Sequence, residues 1–183
     1  MTPTLPVQSG SDRMLKVMHR GYKAERYRRK IDVFREAAPD GTLSTDIIVG
    51  HPGETEEDHE QTLRLVEDCA FDSAYIFKFS PRRGTEAAIL PGSVPDAVVQ
   101  RRFLGVLRQV EQNAFSRNQR KVGGEEEIYI RHGSTEDGKA IGETWSGHAV
   151  HVKTDAAPGE YVRARIESAG PHVLYAGEPD TSG

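Results

Sequence analysis

Residues 43–58 read LSTDIIVGHPGETEED, and this stretch indicates the fold of the first part of the chain. Leu43–Val49 is nearly continuous in apolar and β-branched residues, which is typical of a parallel strand covered on both faces. Gly50–Gly53 then turns the chain, and Thr55–Asp58 has the form of a capping box that begins a helix. The stretch therefore predicts a strand, a tight turn and a helix.

The same order of elements continues on both sides of this stretch. Runs of β-branched and aromatic residues, which predict strands, alternate with apolar spacings and caps, which predict helices. The elements are an extended stub at Leu5–Gln8, a helix capped by Ser11 and ended by Gly21, a helix over Ala24–Ala37, a strand over Ala74–Phe79 and a long helix opened by Pro95. This alternation favours parallel strands with right-handed crossovers, either in an open sheet or in a section of a barrel.

The sequence changes character near Arg117–Gly124, where polar residues and two glycines interrupt both periodicities. From Val122 onward the helix signals vanish, and short strand candidates alternate with Gly, Pro and Asp turns. The candidates are Glu127–Arg131, Lys139–Thr144, Ala149–Lys153, Glu160–Ile166 and Val173–Ala176. Five such strands predict a small β-barrel. We therefore expect one domain over residues 1–120, a second over 121–178 and a disordered tail over 179–183.

The composition excludes several classes of protein. The chain has one cysteine, Cys69, so it can form neither a disulfide framework nor, alone, a zinc or iron–sulfur site. We interpret Cys69 as a buried small hydrophobe and the seven histidines as non-ligands. No segment reaches the length of a membrane span or has the layout of a signal peptide, which predicts a soluble protein of the cytoplasm. Because the net charge is −4, any contact with nucleic acid requires a local basic patch.

Two polar side chains, Gln8 and Asp46, lie on the predicted parallel strands. In barrels and open sheets, ligand-binding and active sites form at the carboxyl ends of such strands. Asp46 interrupts an apolar strand, so its carboxylate needs a ligand donor or a cation to offset its desolvation. A purely structural ion pair with Arg20 is the alternative. The turn at Gly50–Gly53 either holds an anion through its backbone amides or is a tight connection between strand and helix.

Several blocks of the sequence resemble, in the same order, the MiaB-type family of radical S-adenosylmethionine (SAM) tRNA methylthiotransferases. The blocks include Pro6–Arg13, Thr45–Gly50, Pro52–Asp58, Phe71-Asp72, Ser80-Pro81-Arg82, Gly84-Thr85 and Val94-Pro95. The resemblance covers nearly the whole chain. It implies an α/β fold with the last three strand–helix units of a radical-SAM β/α barrel, followed by a TRAM domain, which is a small RNA-binding β-barrel.

The resemblance also implies roles for individual residues. Gln8, Arg20 and Asp46 are implied to contact SAM: the guanidinium of Arg20 suits the SAM carboxylate, and the other two suit its remaining polar groups. The complete family enzyme is implied to methylthiolate C2 of an N6-isopentenyladenosine next to the tRNA anticodon, with SAM and 4Fe–4S iron–sulfur clusters.

The sequence departs from the family pattern in ways that bear on activity. The CxxxCxxC motif that binds the cluster and the Gly-rich loop that binds the SAM amine are absent. We therefore expect the chain alone to be inactive and to bind SAM weakly if at all. His51 stands where the family usually has Phe, and Glu143 stands where its TRAM domain usually has Arg.

The TRAM-like region carries basic and aromatic residues that suit contact with tRNA, the implied partner, and we expect neither DNA nor a membrane as a partner. The candidates are Arg131, Lys139, Lys153, Arg163 and Arg165, with Trp145, Tyr129 and Tyr161 among them. Side-chain alternation along the strand leaves open that one of Arg163 and Arg165 faces the core. For these basic and aromatic residues, the alternative is a solvated barrel surface with ordinary core aromatics. The alternatives to an enzyme segment are a non-catalytic RNA-binding module and an unrelated α/β nucleotide-binding protein. The last rests only on the turn at Gly50–Gly53 and lacks a phosphate-loop lysine signature.

Overall fold

The computed structural model describes residues 3–81, 90–134 and 138–179, which fold into two compact units. An α/β unit comprises residues 3–39 and 43–111, and a barrel unit comprises residues 40–42 and the chain from residue 112 onward. Arg82, Gly84 and Thr85 of the family-like blocks, and residues 180–183 of the predicted tail, lie outside the described residues. None of the described helices is long and apolar enough to cross a membrane.

The α/β unit alternates strands and helices, as the sequence predicts. Its elements are α1 (Asp12–Val17), α2 (Ala24–Ala37), β1 (Ser44–Val49), α3 (Glu56–Cys69), β2 (Ser73–Lys78) and α4 (Asp96–Gln119), of which α4 continues into the barrel unit. β1 and β2 pair in parallel over their whole lengths. The stub before α1 lies along the other edge of β1, where Thr4 and Gln8 form parallel bridges with Ser44 and Ile47.

Local capping explains where the helices begin. The Ser11 side chain accepts a hydrogen bond from the Met14 amide at the start of α1. Thr55 and Asp58 form the predicted capping box at the start of α3, in which each side chain bonds the backbone of the other. Both predicted caps are therefore confirmed.

The first helix ends earlier than predicted, at Val17 instead of Gly21. His19 takes the left-handed conformation, with φ of 55°. The His19 amide then donates to the Lys16 carbonyl, and the Arg20 amide donates to the Leu15 carbonyl at 2.8 Å. These bonds form a Schellman motif, which usually has glycine at the left-handed position. The predicted end at Gly21 was wrong because the left-handed position that ends the helix, usually a glycine, is occupied by His19.

The core of the α/β unit lies on one side of β1. Ile47 and Val49 are fully buried and belong to one cluster with Leu65 of α3, Phe71 and Val106 of α4. Cys69 is also buried in this cluster, which confirms its interpretation as a small hydrophobe. The helices therefore cover only the side of β1 that carries its odd-numbered residues.

The barrel unit is a closed five-stranded barrel. Its strands are β3 (Glu125–His132), β4 (Lys139–Thr144), β5 (Ala149–Lys153), β6 (Tyr161–Ala169) and β7 (Leu174–Pro179), in the order β3-β4-β5-β7-β6. Its core contains Ile128, Ile130, Val150, Ile166 and Leu174, all fully buried. The small barrel predicted from the sequence is confirmed. Because β7 extends to Pro179, where this residue pairs with Ala164, the tail predicted from residue 179 overlaps the last strand.

Candidate functional site

The sequence-predicted residues Gln8 and Asp46 lie side by side near the carboxyl ends of neighbouring parallel strands. The Gln8 amide donates to the Asp46 carbonyl at 2.8 Å, and the Ile48 amide donates to the Gln8 carbonyl at 2.9 Å. Gln8 is buried and has a left-handed backbone with φ of 69°, which turns the chain sharply after the stub. The fold therefore brings together two of the three residues proposed to contact SAM.

The side chains of Asp46 and Arg20 carry charges that have no partner in the part of the chain that the structure describes. Asp46 is half-buried and Arg20 is exposed. Within residues 3–81, 90–134 and 138–179, neither side chain makes a hydrogen bond or an ion pair. The alternative in which Asp46 forms a structural ion pair with Arg20 is therefore wrong. A half-buried carboxylate without a partner is costly unless a ligand supplies donors.

Asp46 lies on an open face of the sheet that carries apolar side chains. Residues paired across parallel strands point to the same face, and Asp46 pairs with Tyr75 while Ile48 pairs with Phe77. Tyr75 is 62% exposed and Phe77 is 52% exposed. This face, opposite to the one that the helices cover, is a mixed polar and aromatic surface of the kind that binds flat ligands.

The turn after β1 uses its own polar groups internally. The Gly50 amide donates to Glu54 Oε2 at 2.8 Å, the Gly53 amide donates to the Gly92 carbonyl at 2.7 Å, and the Glu54 amide donates to the His51 carbonyl at 2.9 Å. These three amides have no hydrogen left for an anion. Because the amides of Gly50 and Gly53 are used inside the protein, the structure favours the alternative of a tight connection between strand and helix.

A buried ion pair fixes this turn to α4. Arg102 Nη1 donates to Glu54 Oε2 at 2.8 Å and to the Glu54 carbonyl at 3.1 Å. Their side chains are 4% and 1% exposed. Burial raises the pKa of Glu54, against the opposing effects of the Gly50 amide and of Arg102. Gly50 itself has φ of 78°, and a Cβ there would lie 2.5 Å from Val99 Cγ2.

Asp58 joins the two longest family-like blocks, which are about 45 residues apart in sequence. Its carboxylate accepts hydrogen bonds from Ser11 Oγ at 2.6 Å, from Thr55 Oγ1 at 2.6 Å and from the guanidinium of Arg13, with which it forms an ion pair. Although burial opposes ionisation, these bonds hold the pKa of Asp58 well below its usual range. Sequence analysis missed this contact because no local pattern links the two blocks. The contact of Asp58 with Ser11 and Arg13 holds the turn after Gln8 against α3.

The barrel separates the five candidate RNA-binding residues into three places. Lys139 and Lys153 lie opposite each other on β4 and β5. Arg163 and Arg165 are both exposed on β6, because residues two apart share a face, so neither faces the core. Arg131 forms an ion pair with Glu143 at 2.9 Å, which neutralises it. Residues 121–178 contain six Lys and Arg against ten Asp and Glu, so the barrel as a whole is acidic.

Aromatic side chains line a cleft of about 340 Å³ on the barrel. The rings of Tyr129 and Tyr161 lie 5.0 Å apart, and the Arg131 guanidinium lies 5.0 Å from the centre of the Tyr129 ring. Trp145, at the rim of the cleft, is 95% exposed, and Tyr161 is 62% exposed. Exposed aromatic side chains beside an arginine suit the faces of unpaired bases.

Comparison with known proteins places the sequence in a defined family. The model of the radical SAM superfamily matches residues 2–66. The chain is 42% identical over 185 residues to the "tRNA-2-methylthio-N(6)-dimethylallyladenosine synthase" of Mycobacteroides abscessus, with 94% of this chain and 36% of the relative covered. It is 44% identical over 172 residues to the protein of the same name from Caldicellulosiruptor saccharolyticus, with 93% and 36% covered. The chain spans about a third of the length of these curated relatives.

Proposed function

Since the chain belongs to the MiaB-type radical SAM tRNA methylthiotransferases, we propose that it forms the part of such an enzyme that holds one flank of SAM and contacts tRNA. The observation that carries the proposal is the carboxylate of Asp46, which has no partner among the described residues and lies beside Gln8 on β1, a strand within the match to the radical SAM superfamily. In the complete enzyme, the substrate would be the N6-dimethylallyladenosine that the relatives' names contain.

SAM suits the polar groups that Asp46, Gln8 and Arg20 carry. The Arg20 guanidinium is exposed and has no partner among the described residues, so it is available to a carboxylate. Asp46 would accept hydrogen bonds from a ribose diol, and the Gln8 amide can both donate and accept. When bound, SAM would supply the methyl group and the radical chemistry of the family. The chain's own residues bind and orient it on the sheet.

An iron–sulfur cluster does not fit the residues of this chain. The one cysteine, Cys69, is buried in the apolar core, where burial raises the pKa of its thiol to about 12. A cluster requires several thiolates that are accessible to iron. We therefore expect the isolated chain to form no product from SAM and reductant.

A chimaera tests the proposal. Residues 3–179 would replace the matching third of the Caldicellulosiruptor relative, and mass spectrometry of tRNA nucleosides would measure the methylthiolated product. We expect the chimaera to form the product. Asp46→Ala and Arg20→Ala should each weaken SAM binding by about 1–3 kcal/mol, the cost of unpairing a charged hydrogen bond.

The matched control is Asp32→Ala, which removes an exposed carboxylate from α2. It should leave SAM affinity unchanged, while iron content and thermal melting verify that each chimaera is intact. Unchanged SAM affinity in both Asp46→Ala and Arg20→Ala would contradict the assignment of the site.

A second candidate function is RNA binding by the barrel without catalysis, and the exposed aromatic cleft favours it. Residues 112–179 are the segment to test, because Asn118 and Gln119 at the end of α4 donate hydrogen bonds to the Gly170 and Ala169 carbonyls. We expect this segment to bind tRNA with modest affinity that falls steeply with salt. Arg163→Ala and Arg165→Ala should each lower the salt slope by at most about one unit. If the segment binds tRNA independently of salt, or does not bind it at low salt, the barrel has only a structural role and this candidate function is wrong.

A further inference from the structure

A dense group of cations lies outside both sites described above. Residues 12–30 contain eight Lys and Arg against two Asp and Glu, although the whole chain has a net charge of −4. The segment comprises α1, the link after it and the first half of α2. The α/β unit therefore carries a concentration of positive charge that the barrel, which is acidic overall, lacks.

Neighbouring carboxylates neutralise only part of this group. Arg13 forms an ion pair with Asp58, Arg28 with Asp68, and Arg29 with Glu25. The remaining cations are exposed, and in the part of the chain that the structure describes they form no hydrogen bond or ion pair. Apart from Arg20 of the proposed SAM site, these cations are Lys16, Lys23, Arg26 and Lys30.

Three of the unpaired cations form a stripe along α2. Lys23, Arg26 and Lys30 are spaced by three and four residues, so they lie on one side of the helix. Arg28 forms an ion pair with Asp68 of α3, so its side of α2 faces α3. The stripe lies on the other side of the helix from Arg28 and therefore faces away from α3. The exposed acidic residues of α2, at positions 25, 32 and 36, lie on the side opposite to Lys23 and Lys30 and about 100° around the helix from Arg26.

Helix stability does not explain this arrangement. Lys23 is the N-cap residue of α2 and makes no side-chain cap bond, and Arg26 lies in the first turn. The amino end of a helix carries partial positive charge, so cations there are unfavourable and Ser, Thr, Asp or Asn would stabilise the helix better. The stripe weakens α2 slightly, and an anionic partner would offset that cost.

We propose that the stripe of Lys23, Arg26 and Lys30 binds the phosphate backbone of the RNA substrate. The inference rests on the proposed function, which makes the partner an RNA. It assigns the main electrostatic contact to the α/β unit and leaves the aromatic cleft of the barrel to contact bases. An anionic membrane fits less well, because Val33 is the one large apolar side chain exposed by more than a third in residues 12–37.

Removing the stripe from the whole chain tests this inference. The variant Lys23→Ala/Arg26→Ala/Lys30→Ala would be compared with a control, Arg64→Ala/Arg108→Ala/Arg120→Ala, which removes three exposed arginines elsewhere. Fluorescence anisotropy with an unmodified tRNA transcript at several salt concentrations gives affinity and salt slope. We expect the stripe variant to lose at least about tenfold in affinity at low salt and about two units of slope. The control should change affinity less than about threefold.

The outcomes separate the possible explanations. Equal losses in both triple variants, or no tRNA binding by the parent chain at low salt, would overturn the inference. So would a stripe variant that keeps tRNA affinity but loses binding to vesicles containing anionic phospholipid. Circular dichroism verifies folding, and Lys23→Arg/Lys30→Arg should retain affinity if charge is what matters. Because the assay measures binding and not methylthiolation, an inactive chimaera would refute the proposed enzyme function without affecting this result.

Discussion

The buried ion pair between Arg102 and Glu54 leads to the sharpest prediction about stability. Arg102→Met keeps most of the length of the side chain but removes its donors to the Glu54 carboxylate, to the Glu54 carbonyl and to Glu56, which lies 3.2 Å away. Glu54 would retain the hydrogen bond from the Gly50 amide. The substitution therefore leaves a carboxylate that is 1% exposed without its countercharge.

The size of the effect follows from this burial. Removing one partner of a buried ion pair costs about 3–5 kcal/mol, because the remaining charge has lost its solvation and its partner. We expect Arg102→Met to lower the free energy of unfolding of the α/β unit by that amount at pH 8. The double variant Glu54→Gln/Arg102→Met should recover part of the loss, since it buries no charge.

Low pH should reduce the loss of stability that Arg102→Met causes. Loss of Arg102 raises the already elevated folded-state pKa of Glu54 further above its unfolded value. A group with a raised folded pKa stabilises the fold at low pH and loses that contribution as pH rises through the folded pKa. The difference between Arg102→Met and the parent chain should thus be smaller at pH 5 than at pH 8.

Urea unfolding followed by circular dichroism at 222 nm measures these differences, because this signal reports the helices. A parent chain and an Arg102→Met variant within about 1 kcal/mol of each other at pH 8 would refute the reasoning. A defect that does not change with pH would show instead that lost packing, and not the buried charge, is responsible.

Three further predictions concern the α/β unit. Asp58→Asn should cost about 2–3 kcal/mol by urea unfolding at neutral pH. The difference from the parent chain should shrink in acid, since a carboxylate with a lowered folded pKa contributes its full stability above about pH 4 and loses it progressively as pH falls below that value. Gly10→Ala should strongly lower the melting temperature of the chain, because the added Cβ would lie 2.4 Å from the Gln61 carbonyl oxygen. Gly21→Ala, whose Cβ would enter open space, should leave the melting temperature nearly unchanged. Burial lowers the pKa of His59, so the chain should lose stability as pH falls below about 6.5, and His59→Gln should reduce that loss in a pH series.

Local sequence signals predicted the elements of the fold well. The apolar spacing of Tyr27 and Ile31, with Pro39 downstream, gave the bounds of α2 correctly, and the turn residues gave those of β4 and β5. The ends of β6 and β7 lie further along the chain than predicted. These strands continue because each pairs with the other, and the length of that pairing is set by the partner strand more than by the propensity of either strand alone.

The candidate sites were predicted in part. The sequence predicted that Asp46 lies on a strand, within an apolar run, and that Gln8 ends an extended stub. Their proximity follows from the parallel pairing of these two segments. The role of Asp58 could not be predicted, because it depends on side chains from two segments that are far apart in the sequence. The basic stripe on α2 was missed because net charge was taken over the whole chain, where acidic residues of the barrel offset it. Counting charge by segment would have found it.

The strand order of the barrel constrains how it assembles during synthesis. β7 lies between β5 and β6, pairing in parallel with one and antiparallel with the other. Before residues 174–179 leave the ribosome, β3 to β6 can form only an open sheet whose two free edges are β5 and β6. Those edges expose unpaired backbone groups that other strands can bind. Stalled or shortened translation products that lack β7 should therefore be the form of this chain that chaperones and proteases recognise first.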